Sequence, residues 1–135
     1  MIVVETELIA GLYLPTEFTD IAEELYEKDP YWLAPFIWRS EFLSVISIFL
    51  NKKLISLDKA SEAVELAERQ MKHREYRAVA YDVLEKSMGS GLNTRDCEFI
   101  SLASFSGFKL VTLDEKILEK FPDIAVHPKH VEPTN

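Results

Sequence analysis

The sequence predicts an α/β fold, a three-layer α/β/α sandwich around a mostly parallel sheet. Short unalternating runs rich in branched residues, Ile2-Val3-Val4, Lys109-Leu110-Val111-Thr112-Leu113 and Ile124-Ala125-Val126, read as strands buried on both faces. Segments of helical period separate them, as crossover connections between parallel strands require. Two of the runs end on an acid, Glu5 and Asp114. Open α/β sheets hold their ligands at the carboxyl ends of the strands.

Taken in order, residues 8–14 form a short helix stopped by Pro15, with Gly11 allowing close packing on the first strand. Thr16 is a candidate cap for a helix carrying Phe18, Ile21, Ala22, Leu25 and Tyr26 at helical spacing. Asp29-Pro30 breaks it, residues 31–34 read as a second strand, and Pro35 suits the first turn of the next helix. Residues 36–51 are apolar nearly all round, which predicts a central buried helix with Glu41 in its middle. Ser56 caps a long helix with an inner stripe of Ala60, Ala63, Val64, Ala67 and Met71, forming a hairpin with its predecessor.

Residues 74–79 fit either a third short strand or the tail of that helix. A helix over 81–90 ends at Gly91, and Asn93 caps another that contains Asp96, Cys97, Phe99 and Ile100 and ends at Gly107. Asp114 opens a short helix before the last strand.

The 135 residues suffice for one domain spanning 1–135, with a loosely held tail from about residue 127 where prolines recur. A single cysteine, Cys97, cannot form an internal disulfide, and no Cys/His spacing suggests zinc. A reducing, cytoplasmic setting fits. The longest apolar stretch, 33–50, is interrupted by Arg39 and Glu41, so the chain is expected to be soluble and not membrane-bound. The net charge of −8 argues against a broad basic surface for nucleic acid. Acidic surplus can reflect solvated helix faces or a cluster of acids built to hold cations.

Four carboxylates, Glu5, Glu41, Asp96 and Asp114, stand in apolar context or at strand ends. Each has a plain structural explanation. Asp114 can cap its helix, Asp96 stands at capping-box spacing from Asn93, and Glu5 is a poor but conceivable cap. Glu41 is hardest to explain so, because a charge among apolar residues is costly unless paired, coordinated or at a cavity. Arg39, two residues away on the helix, points elsewhere.

In a parallel sheet Glu5 and Asp114 leave at the same edge, and a crossover helix running back from that edge starts with Asp96 beside them. Convergent acids need a cation: two unit charges about 4 Å apart repel by roughly 4 kcal/mol at an effective dielectric near ~20. Hard oxygen ligands suit Mg²⁺ or Mn²⁺, which can activate water against a phosphodiester.

These residues resemble the PIN-domain ribonucleases, and among them the VapC-type toxins of toxin–antitoxin systems. The resemblance covers nearly the whole chain. It is carried by the opening strand with Glu5-Thr6-Glu7, by Trp38-Arg39-Ser40-Glu41-Phe42, by Asn93-Thr94-Arg95-Asp96-Cys97-Glu98-Phe99 with Leu102-Ala103, and by Leu110-Val111-Thr112-Leu113-Asp114. It implies a Mg²⁺- or Mn²⁺-dependent endoribonuclease in which Glu5, Glu41, Asp96 and Asp114 bind metal and Thr112 supports the last acid. It also implies an RNA substrate, a VapB-type antitoxin and a homodimer.

The family usually opens with Asp-Thr-Asn or Asp-Ser-Asn, whereas this chain has Glu5-Thr6-Glu7. The extra methylene of Glu5 shifts the central carboxylate, and Mg²⁺ tolerates little geometric error, so weakened activity is expected. A second reading is a non-catalytic PIN-fold module that pairs with an antitoxin or with itself. An acidic pocket without a working metal still receives an arginine, and Tyr13, Trp32, Trp38 and Phe49 are candidates for an apolar groove, although most of them are expected to be core. Lys52, Lys53, Arg69, Lys72, Arg74 and Arg77 are candidate RNA contacts that a solvated helix face explains equally well.

Overall fold

In the computed structural model, which describes residues 1–134, five strands form one sheet in the order β3-β2-β1-β4-β5. The strands are β1 (Ile2–Val4), β2 (Trp32–Pro35), β3 (Glu75–Tyr76), β4 (Leu110–Val111) and β5 (Ala125–Val126). Each pairing is parallel. The central strand β1 aligns Ile2 and Val3 with Trp32 and Leu33 on one side, and Val3 and Val4 with Leu110 and Val111 on the other. All three of its residues are buried, which explains its unbroken apolar composition.

The helices are α1 (Thr6–Tyr13), α2 (Thr19–Lys28), α3 (Trp38–Asn51), α4 (Leu57–Met71), α5 (Ala80–Ser90), α6 (Thr94–Ser106) and α7 (Glu115–Lys120). The chain moves outward from β1 to β2 and β3, then crosses back to place β4 on the other side of β1. Because parallel crossovers are right-handed, this reversal puts α1 to α4 on one face and α5 to α7 on the other. The reversal also makes the gap between β1 and β4 the topological switch point, where a crevice opens beyond the strands' carboxyl ends.

Caps follow the residue types. Ser56 Oγ accepts from Lys59 N at 3.2 Å and Asn93 Oδ1 from Asp96 N at 2.8 Å. Gly91 and Gly107 close α5 and α6 in the left-handed region, at φ 75° and 78°. Residues 75–76 are a strand, not a helix tail, paired with Ala34 and Pro35.

Several expectations are corrected. Pro35 closes β2, and α3 begins only at Trp38. Thr16 does not cap α2; its hydroxyl accepts from Phe18 N at 3.0 Å in a turn before the helix starts at Thr19. Gly11 lies against α2, not the strand: a Cβ there would stand 3.0 Å from Ala22 Cβ and 3.1 Å from Phe18 O.

Helix α3 is not buried all round. Trp38, Phe42 and Ile46 form its inner stripe, while Leu43 and Ile48 are each 54% exposed. It lies in an outer layer against α1 and α4, which cover only one side. Glu41 thus falls in the first turn, where the helix dipole favours a negative charge. Residues 127–134, expected to be loose, pack on α2 through a 3₁₀ turn at Pro128–His130. Thr134 donates from both N and Oγ1 to Lys28 O, at 2.8 and 2.9 Å.

Candidate active site

Glu5 follows the last residue of β1 and stands at the N-cap of α1 without a side-chain capping bond. Its side chain therefore does not serve the helix. Glu5 is only 7% exposed, and its Oε1 is buried with no hydrogen-bond partner. Burial pushes its carboxyl up to about 8, with further upward pressure from Glu7, Asp96 and Glu41, while the Thr112 hydroxyl partly offsets them. An unpartnered polar atom in this position is costly to folding.

Thr6, the next residue, is buried and donates from Oγ1 to Glu41 Oε1 at 2.7 Å. This bond ties the carboxyl end of β1 to the first turn of α3, 35 residues later. Asp96 sits in the first turn of α6. Loss of water contact raises its carboxyl, Asp114 raises it further, and Arg95 and Asn93 pull it down.

Together Glu5, Thr6, Glu7, Glu41, Arg95 and Asp96 line a cleft of about 210 Å³, with Ser44 and Val45 completing its wall. Three of the four acids singled out by sequence thus share one cleft. Asp114 stands beside it, close enough for its charge to raise the carboxyls of Asp96 and Glu7.

Asp114 also fulfils its plain role, since Oδ1 caps α7 by accepting from Lys116 N at 2.8 Å and Ile117 N at 3.3 Å. Thr112 is fully buried, and its Oγ1 accepts from Asp114 N at 3.0 Å. It fixes the turn that presents Asp114 while facing Glu5.

Glu7, singled out in the sequence as a departure from the family's Asn, joins the site with two residues that pattern reading did not select, Glu98 and Arg95. Glu7 is exposed along its side chain, yet desolvation at its carboxyl and the charges of Asp114, Asp96 and Glu41 hold it above the usual range. Glu98 is raised by burial and then by Glu41. Arg95 is the basic residue of the cleft wall. The available signal was proximity: each lies within two residues of a selected acid on the same helical turn or strand end.

Of the aromatic candidates for a groove, Trp32 and Trp38 are fully buried core residues, in line with the expectation that most of the four are core. Arg74 is committed to structure, donating to Pro30 O at 3.1 Å with its guanidinium 5.0 Å from the Tyr31 ring centre. Among the described residues, no three His, Cys, Asp or Glu side chains are grouped to hold a metal ion by themselves. No described helix is long and apolar enough to cross a membrane.

The PIN domain family model matches residues 2–124. Ribonuclease VapC3 of Pyrobaculum aerophilum is 31% identical over 133 residues, covering 90% of this chain and 95% of that protein. The chain belongs to the PIN-domain ribonuclease family, in its VapC-type branch. The fold of this PIN domain is similar to that of a chain in a toxin–antitoxin complex from Klebsiella pneumoniae, with a TM-score of 0.70 at 14% identity. That match covers 95% of this chain and 98% of the other.

Proposed function

We propose that this PIN domain is a Mg²⁺- or Mn²⁺-dependent endoribonuclease whose activity is weakened by Glu5. The observation that carries the reading is the buried, unpartnered Glu5 Oε1 at the switch point of the sheet, ringed by Glu7, Glu41 and Asp96. Carboxylates in this concentration are hard oxygen donors, the chemistry that Mg²⁺ and Mn²⁺ prefer.

Glu5, Glu41, Asp96 and Asp114 would hold the ion in this reading. When bound, the ion supplies charge neutralisation at the phosphate and activates a water for attack on the phosphodiester. The chain's own residues set the geometry. Thr6 orients Glu41 by its 2.7 Å hydrogen bond, and Thr112 holds the backbone of Asp114 by its 3.0 Å bond. Glu5 has to lose its proton to become a ligand, so loading the site releases a proton near neutral pH.

The partners in this reading are an RNA substrate, a VapB-type antitoxin and a second copy of the chain; the exposed Leu43 and Ile48 of α3 offer apolar surface for a protein partner. Cleavage of a mixed RNA substrate with Mg²⁺, Mn²⁺ or EDTA tests the enzyme. Wild type is expected to cut slowly with a divalent ion, Asp96→Asn not at all, and Glu5→Asp faster than wild type. Equal, strong activity of wild type and Glu5→Asp would remove the impairment. No cutting by either would remove the enzyme.

The second reading, a non-catalytic module that binds an antitoxin or itself, is favoured by one observation, the burial that pushes the Glu5 carboxyl up to about 8 and so favours its neutral form. Thermal unfolding with and without Mn²⁺ separates the two. A raised midpoint supports a metal site, and an unmoved one supports the module.

A further inference from the structure

Arg95 occupies the second position of α6, after Asn93 at the cap and Thr94. A cation there opposes the helix dipole, so helix stability alone does not account for it. The side chain is exposed and lines the acidic cleft. Yet among the described residues it is in no ion pair with any of the acids around it. Its fork of donors is uncommitted.

The nearby basic residue of α3 differs in this respect. Arg39 spends its guanidinium on Glu75, at 2.6 and 2.9 Å, and on Glu68, at 3.1 Å. Arg95 is thus the uncommitted cation on the wall of a cleft otherwise lined by acids. An RNA strand entering this cleft meets the repulsion of its acids, and a planar guanidinium is the group best shaped to hold a phosphate against it.

We infer that Arg95 is a substrate-binding residue that grips a backbone phosphate of RNA lying across the cleft. This rests on the ribonuclease reading above. The competing role is that of a counter-charge, in which Arg95 only softens repulsion among the acids and never touches RNA.

The two roles differ in how binding responds to salt. One lost phosphate contact lowers the slope of log affinity against log salt by about 0.7 on a single strand and weakens binding roughly tenfold at low salt. The test uses the full chain with a 2′-O-methyl RNA that cannot be cut, in Ca²⁺, over a salt series. Wild type, Arg95→Ala and Arg95→Lys are compared, alongside steady-state cleavage of ordinary RNA in Mn²⁺.

Arg95→Ala is expected to lose about one phosphate's worth of slope and to raise KM about tenfold with kcat within twofold. Arg95→Lys should keep the slope with intermediate affinity. An unchanged thermal midpoint of both variants confirms that the exposed substitution leaves the fold intact. If wild type cuts RNA and Arg95→Ala matches it in KM and slope, or binds RNA more tightly, the inference falls and the ribonuclease stands. If wild type neither binds nor cuts RNA, both fall.

Discussion

Replacing Glu5 by Gln removes the ionisable group whose burial is most at odds with its charge, and so changes how stability depends on pH. In the folded chain the carboxyl titrates at about 8, against 4.5 when exposed to water. Its contribution to stability is therefore fully present below pH 4.5 and is lost as pH rises toward 8, because the unfolded chain gives up the proton first. At about 1.4 kcal/mol for each pH unit between the two values, the loss is about 3 kcal/mol at pH 7 and about 5 kcal/mol above pH 8.

Glu5→Gln is neutral at every pH and escapes this loss. For a chain of 135 residues, several kcal/mol correspond to a midpoint difference on the order of 10 °C. The assay is thermal unfolding in EDTA from pH 5 to 8.5. The variant is expected to match wild type near pH 5 and to exceed it increasingly toward pH 8.5. Mn²⁺ should raise the wild-type midpoint at pH 8 and leave the variant's where it was. A variant no more stable than wild type at pH 8.5, or two curves of equal pH slope, would show that burial does not hold the proton on Glu5.

Thr112→Val keeps the shape of a fully buried side chain but removes the acceptor for Asp114 N; it should cost about 1–3 kcal/mol in urea unfolding and lower cleavage with it. Thr6→Val deletes the hydroxyl that holds Glu41 and should weaken Mn²⁺ binding several-fold, read by titration of the thermal midpoint. Glu75→Ala leaves the buried Trp38 Nε1–H without its 2.7 Å partner and frees Arg39, so a loss of about 1–3 kcal/mol is expected in chemical denaturation. Gly11→Ala presses a methyl onto Ala22 and Phe18 O and should cost about 1–3 kcal/mol in the same measurement.

The parts of the fold that were legible in the sequence are those decided by short-range chemistry. Ile2-Val3-Val4 has to be buried on both faces, and Gly91 and Gly107 supply the left-handed closures that α5 and α6 use. What composition could not reveal is which neighbour covers which face. The apolar residues of α3 read as a buried helix, yet α1 and α4 cover one stripe and leave Leu43 and Ile48 in water. Likewise Gly11 announced a close approach without saying that α2, not β1, makes it. The terminal prolines suggested a loose tail, but the bonds from Thr134 to Lys28 O are tertiary and leave no local pattern.

The acids show the same division. Glu5 and Asp114 could be placed at one sheet edge from strand patterns alone, but their nearness depends on β4 lying beside β1, which only the strand order reveals. That order also explains why charge collects where it is most costly. The switch point between β1 and β4 is where two adjacent strands send their chains to opposite faces, so no crossover helix fills the gap above them. Side chains at its floor are buried by the sheet below and open to the cleft above. Glu5 occupies that floor, and every acid brought near it raises the cost of its charge. Packing alone would favour a neutral residue here. In the proposed function, a carboxyl that burial holds well above its usual range is instead what a cation-binding floor would use, because an ion would remove the penalty that burial imposes.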